Sequence, residues 1–459
     1  MTPPIASTEG AAGALVDHAL SLRWGETPTE ARTAAKTFLH DTLCVGVAGS
    51  RAPNADAILA VAKAWGEGGR CTVLGRPGVT LPAPSAAFVN AFQIHGQEFD
   101  CVHEPAVLHP MATVVAALRA ESERGEACTG EDFLAALMAG VDIAVALGLA
   151  ATTPLRFFRP ATAGVFGSTA ALARLRGLDR ATTLDAFGYA LAFASGTMQA
   201  HVEGKPALPV QVGAAARSAL VAIDLAVAGL KGPQQSIDGP FGYLSLFEAG
   251  YDLDRILPQL TQTRRITGVS WKPFPTGRAA HGGLVAVADL IQRHQLRADE
   301  VESLIFRAPP LIQRLVGRPA KPGMDVAYAR LCLPWLAAAA LTLGEVGLAD
   351  FTPQRLADPD ILALAQRITV VSDDSSDPAA FVPLEATVRT RAGATLQARV
   401  SAMLGAPSHP LTQAQHMDKA WRCLNHAGLG ALHEPLWAAI CSLDQAPDVA
   451  AALSMAPPA

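Results

Sequence analysis

Residues His95 to Pro110 read HGQEFDCVHEPAVLHP, and this stretch breaks two strongly apolar segments apart. Upstream, LPAPSAAFVNAFQI (81–94) has helical character. Downstream, MATVVAALRAESE (111–123) reads as an amphipathic helix entered at Pro110, where a missing N–H costs nothing. The break concentrates His95, His103, His109, Glu98, Asp100, Glu104 and Cys101. Polar side chains at a junction between buried helices can be presented to a cavity by a rigid scaffold.

Outward from this break, apolar residues recur at helical spacing from about Ala11 to Gly250. Examples are ARTAAKTFLHDTLCVGVAG (31–49), GEDFLAALMAGVDIAVALGLA (130–150) and GAAARSALVAIDLAVAGL (213–230). Several are apolar nearly all round, as expected of helices buried against one another or at a subunit interface. The character changes near Tyr251. LEATVRTR (384–391) and LQARVSAML (396–404) alternate in hydrophobicity around a short Gly-containing connection, which predicts a β-hairpin. VESLIFRAP (301–309) and ALAQRITVVSDD (363–374) are further strand candidates. HGGLVAVADLIQRHQL (281–296) and RLCLPWLAAAALTLGE (330–345) between them read as helices. The expected organisation is mainly α: a helical part over residues 1–254, an α+β part over 255–403, and a closing helical part over 404–459. Periodicity leaves open whether that last part rejoins the first.

Composition narrows the function class. A net charge of −5 and a pI near 6.2 give no electrostatic footprint for nucleic acid. Seven cysteines, odd in number and without a CxxC pair, fit reduced thiols and disfavour a disulfide framework, zinc ribbon or iron–sulfur cluster. The start MTPPIASTEG lacks the order of a secretory signal, and no run of ~18 uncharged apolar residues predicts a membrane span. The expectation is a cytoplasmic protein with neither nucleic-acid nor membrane partner.

Four stretches carry candidate chemistry. In the opening one, His95 and Glu98 lie three apart, a metal-ligand spacing in helical bundles. The second Glu-x-x-His that such a site requires is missing, so no metal is expected. A general acid/base pocket suits the cluster better, with His103 and His109 in the break as the proton carriers and Glu98 or Asp100 orienting them. In RFFRPATAGVFGSTAAL (156–172), Arg159 stands ahead of a helix entrance and suits carboxylate binding. SGTMQAHVEGKPALPVQVGAAARSAL (195–220) carries His201, Glu203 and Lys205 on a polar loop, for which a solvated role is at least as good a reading. SWKPFPTGRAAHGG (270–283) gathers Lys272, Arg278 and His281 on a proline-stiffened loop near the expected domain boundary, where clefts form. Phosphate-binding, nucleophile-elbow and dinucleotide motifs are absent.

Taken in order, these stretches resemble the MmgE/PrpD family, whose members include 2-methylcitrate dehydratase and cis-aconitate decarboxylase. The most specific marks are HGQEFDCVHEPAVLHP (95–110), GVFGSTAALARLRGLD (164–179) and WKPFPTGRAAHGG (271–283). The resemblance implies a large all-helical domain built from both chain ends, an inserted α+β lid, and a homodimer. It also implies a cofactor-free cleft acting on small di- or tricarboxylic acids. Family active-site positions fall on Glu98, His109 and Lys272, and Asp100 matches the first member of an Asp-Asp pair. The second member is Cys101 here, followed by Val102 where the family has threonine. Arg159 replaces a histidine, Leu208 a lysine (with Lys205 displaced by three residues), and Trp335 a tyrosine of the lid. The Arg-Pro-Ala-Thr-Ala-Gly form is similar to the branch containing iminodisuccinate epimerase.

The expected reaction is proton chemistry at a carbon beside a carboxylate, without metal or cofactor. Glu98, Asp100, His109, Lys272 and His103 are the catalytic candidates; Arg159, Lys205, Arg278 and His281 are the substrate-binding ones. A lyase, by dehydration or decarboxylation, is the first expectation. A dicarboxylate epimerase is the second, and a non-catalytic polycarboxylate binder the third.

Overall fold

The computed structural model describes residues 10–377 and 379–455. Among the described residues, eleven helices precede residue 230: α1 (Ala11–Ser21), α2 (Thr29–Gly49), α3 (Ala55–Ala64), α4 (Ala83–Gly96), α5 (Pro110–Arg124), α6 (Gly130–Ala150), α7 (Arg159–Thr162), α8 (Gly164–Leu175), α9 (Arg180–Phe193), α10 (Gln199–Glu203) and α11 (Ala207–Val227). A two-residue ribbon, β1 (Cys71–Thr72) with β2 (Thr80–Leu81), interrupts them. The central layer is α4, α5, α6, α8 and α11 packed on one another. Small residues set how closely these helices approach. A Cβ on Gly140 of α6 would lie 2.8 Å from the Gly167 carbonyl oxygen of α8, and one on Gly167 would lie 2.6 Å from that of Gly140. The helix entrances follow local chemistry. The Thr129 side chain accepts from the Asp132 N–H at the start of α6, and Pro110 opens α5 behind His109.

A four-stranded sheet follows: β3 (Val301–Ala308), β4 (Ile368–Ser372), β5 (Leu384–Thr390) and β6 (Thr395–Val400), ordered β4-β3-β5-β6. β3 runs parallel to β4 and antiparallel to β5, and β5 and β6 form the expected hairpin with Leu384 opposite Val400. Leu384, Ala386, Val388 and Thr390 are buried on one face, as their alternation predicts. Helices His281–His294 and Leu333–Leu343 pack on this sheet. The helix Gln413–His426 then returns to α2, so the chain end packs on the helical part where sequence periodicity was silent. Mainly α is the resulting class. Buried apolar side chains from Ala11 to Leu453 form one continuous cluster that the sheet shares with the helices.

Two helices, α6 and α11, are long and apolar enough to cross a membrane by length and composition alone. In α6, 94% of the apolar window is buried within the protein, which accounts for its hydropathy; in α11 half is.

Candidate active site

The polar break becomes a loop strapped to a distant segment. After α4 ends at Gly96, Glu98 takes a left-handed conformation (φ 49°), a placement unusual for a side-chain-bearing residue. Val102 then exchanges both backbone hydrogen bonds with Ser270, at 3.0 and 2.7 Å. That pairing carries Lys272, two residues further on, to the carboxylates of the break.

Asp100 is the centre of the constellation and is fully buried. Its Oδ2 lies 3.0 Å from His95 Nδ1 and 3.1 Å from His109 Nδ1, and its Oδ1 lies 3.7 Å from Lys272 Nζ. Lys272, also fully buried, donates to Glu98 Oε2 at 2.9 Å. His95 Nε2 is 3.5 Å from Glu98 Oε1, and the two imidazoles meet edge to face at 4.9 Å between centroids. An ionised carboxylate only accepts, so Asp100 holds a proton on both Nδ1 atoms and directs both Nε2 atoms elsewhere.

Burial alone would raise the pKa of Asp100, but His109, His95 and Lys272 hold it well below the usual carboxylate value. Glu98 is likewise opposed by burial yet brought down to about 2, chiefly by Lys272. The histidines part company. His95, against its own burial, is raised by Asp100 and Glu98; in His109 burial prevails over Asp100 and lowers the value. Of the two rings, His95 is therefore the readier to take a second proton. His109 is then the neutral imidazole with a free Nε2 lone pair.

His95, Asp100 and His109 have ligand atoms within 4.8 Å of one another, close enough for a metal ion. The donor set argues for protons instead. One Asp100 oxygen stands at hydrogen-bond distance from both nitrogens, and the Lys272 ammonium already places a positive charge beside that carboxylate.

His95, Glu98, Val102, His109, His201 and Arg278 help line a cavity with about 560 Å³ of empty space, together with a largely apolar wall. Of the expected site residues, Glu98, His109 and Arg278 reach this wall, while Asp100 and Lys272 lie behind it. Arg278 is matched by Glu104 at 2.6 Å and also donates to the Leu404 carbonyl at 2.7 Å.

Other residues stand away from the cavity wall. Arg159, expected to bind a substrate carboxylate, donates from Nε and Nη2 to the two Glu248 carboxylate oxygens at 2.8 and 2.9 Å. Such a bidentate buried pair satisfies the charge internally. Lys205 pairs with Asp325 at 2.9 Å on the surface, both side chains about half exposed. His103 accepts from the Ala106 N–H at 3.3 Å, and burial pushes its pKa down to about 4. His281 is spent on Arg278 and the Thr276 carbonyl, both at 3.3 Å, and burial pushes its pKa far down.

The family departures divide too. Val102 and Leu208 face the cavity, whereas Cys101 is buried near Asp41, Thr42 and Lys419, and Trp335 packs in the core against Phe351. Two participants escaped sequence reasoning in these roles. The sequence ranks His95 behind His103 and His109 as a proton carrier, although its place at the end of an apolar helix, five residues before Asp100, is a usable signal. For His201 the sequence leaves a solvated role at least as good a reading as a functional one.

The chain matches the MmgE/PrpD N-terminal domain over residues 13–256 and the MmgE/PrpD C-terminal domain over 274–431. It belongs to the MmgE/PrpD family. It is 28% identical over 405 residues to cis-aconitate decarboxylase of Mus musculus, covering 84% of this chain and 80% of that protein. The Homo sapiens protein of the same name is 27% identical over 402 residues, covering 84% and 82%. A cis-aconitate decarboxylase-like protein of Aspergillus oryzae is 27% identical over 427 residues, covering 88% of each chain.

Proposed function

We propose that this protein is a lyase that acts without a cofactor on a small di- or tricarboxylic acid, by proton chemistry at a carbon beside a carboxylate. The observation that carries the reading is the single Asp100 oxygen shared by His95 and His109, with Lys272 and Glu98 beside it and His109 on the cavity wall. The decarboxylase names of its relatives support the same class.

In dehydration, His109 Nε2 takes the proton from the acidic carbon, the electron pair forms the new C=C bond, and the hydroxyl leaves as water with a proton handed on by the imidazolium so formed or by His95 beside it. In decarboxylation, the C–C bond to the departing carboxylate breaks and CO₂ leaves. The electron pair is held by the neighbouring conjugated carboxylate until an imidazolium proton reaches the carbon. Either way the developing negative charge is stabilised from behind the wall by the ammonium of Lys272, which lies beside Glu98 and Asp100. The active-site cleft would lie between the helical part and a lid spanning residues 255–403, and the family reading adds a homodimer, which light scattering would test.

The deciding experiment is a panel of di- and tricarboxylates in D₂O followed by NMR. A new alkene or released CO₂ is the expected outcome. Deuterium incorporation with inversion and no net product would make it an epimerase instead. Tight binding without exchange or product would make it a binder.

A further inference from the structure

His201 sits on α10, in the stretch whose sequence suggests a solvated loop, yet it is 8% exposed and lines the same cavity as His109 and Glu98. Its Nδ1 lies 3.2 Å from Arg318 Nη2. A guanidinium has only N–H groups to offer, so Nδ1 accepts and the ring proton resides on Nε2. Among the described residues no hydrogen-bond partner meets Nε2. Arg318 follows the helix Pro310–Val316 and is held by the Leu315 carbonyl at 3.2 Å and by the Tyr328 ring at 5.0 Å. No carboxylate pairs with it among the described residues, and its Nη1 is buried without a partner. The charged groups that face His201 are Arg318, Glu98, Arg314 and His95. Burial and then Arg318 push its pKa to about 4, so the ring is neutral around pH 7.

The same wall lacks the cations that the family pattern would place there. Leu208 stands at the lysine position, and Arg159 at the histidine position is given to Glu248. Lys272 and Arg278 are matched by carboxylates of the protein. Among the described residues Arg318, which holds His201, has no carboxylate partner; nor has the neighbouring Arg314, whose guanidinium is given to the Leu155 carbonyl at 2.6 Å.

We propose that His201, donating from Nε2, anchors a substrate carboxylate in this chain, with Arg318 as the positioning residue that fixes its tautomer and adds positive charge behind it. This deepens the lyase reading and rests on it only in taking the occupant to be a carboxylic acid. A neutral N–H donor inside a low-dielectric wall binds an anion without carrying a charge of its own into the cavity.

Calorimetric titration of the full-length protein with cis-aconitate and with citraconate tests the inference. The wild type is compared with His201→Phe, His201→Gln, Arg318→Gln and His109→Gln. The wild type is expected to bind at least one of the two acids. His201→Phe should weaken that binding tenfold or more, and His201→Gln, which keeps a neutral donor, by about threefold. Arg318→Gln should weaken it about tenfold and move the His201 ring nitrogens in ¹⁵N spectra, where the wild type shows the Nε2–H tautomer. His109→Gln should bind within about threefold of wild type. The inference is overturned if neither acid binds the wild type, if His201→Phe binds as tightly as the wild type, or if the wild-type ring proton lies on Nδ1. Should His201→Phe fail to fold, the Gln variants and the nitrogen spectrum decide. Binding that depends on His201 without turnover of any acid would sink the lyase reading and leave the anchor standing. Turnover indifferent to His201 would do the reverse.

Discussion

Asp100 accepts hydrogen bonds from two imidazoles through one oxygen, so a change that spares its size and removes its charge tests the site sharply. Asp100→Asn offers an amide that can donate to one ring, and it no longer dictates the tautomer of either. Turnover of the acid identified by the panel is expected to fall by about 10²–10⁴, as is that of His109→Ala, in steady-state assays. Lys272→Met leaves Glu98 and Asp100 as buried carboxylates without their ammonium. A loss of about 3–5 kcal/mol in urea denaturation is expected, the size typical of breaking a buried pair from one side.

The sign of the pH dependence follows from the same groups. Glu98 and Asp100 have folded values below their unfolded ones, so their contribution is complete above about pH 5 and is lost as pH falls toward 2. His103 and His201, lowered to about 4, and His40, lowered to about 3, are buried neutral. Their contribution is present above the unfolded histidine value near 6.5 and is lost as pH falls through their folded values. The urea midpoint is therefore expected to drop between pH 6.5 and 4, and a midpoint flat across that window would contradict the burial of these rings. At this scale the family-matching residues Glu98, Asp100, His109 and Lys272 were legible, since each sits in a motif. Arg159 was not, because nothing local says that Glu248 will consume it.

Among the elements, the α6–α8 crossing depends on two glycines that face each other's backbone. Glycine to alanine inside a helix usually gains about 1 kcal/mol of propensity. Here Gly167→Ala would bring its Cβ to 2.6 Å from a carbonyl oxygen, and overpacking should cost about 1–3 kcal/mol, visible as a lowered melting temperature. The β5–β6 hairpin and the entrance of α5 at Pro110 could be read from alternation and from proline placement, because both are governed by neighbours in sequence. The left-handed Glu98 and the Val102–Ser270 bridge could not, since one half of that bridge lies far away along the chain.

At the scale of the molecule, the chain end supports the site loop from behind. Lys419 Nζ pairs with Asp41 at 2.7 Å and donates to the Phe99 carbonyl at 3.0 Å, immediately before Asp100. Lys419→Met should destabilise the fold by about 3–5 kcal/mol by leaving Asp41 buried and unpaired. It should also lower turnover although it is remote from the cavity wall, which parallel denaturation and steady-state measurements would reveal. Cys101 belongs to this support, being buried near Asp41 and Lys419, so its departure from the family pattern falls outside the wall while those of Val102 and Leu208 fall within it.

What the sequence determined by itself is the helical class, the hairpin, the order of the motifs and the carboxylate, histidine and lysine candidates, because these rest on periodicity and on residue type. What only the tertiary structure decided is which charges stay available. Arg159, Lys205 and Arg278 each find a carboxylate elsewhere in the chain, whereas His201, drawn from a supposed loop, is turned into the cavity by Arg318. Ion pairing in a low-dielectric interior is settled by proximity between distant segments, and proximity is what one-dimensional spacing does not contain.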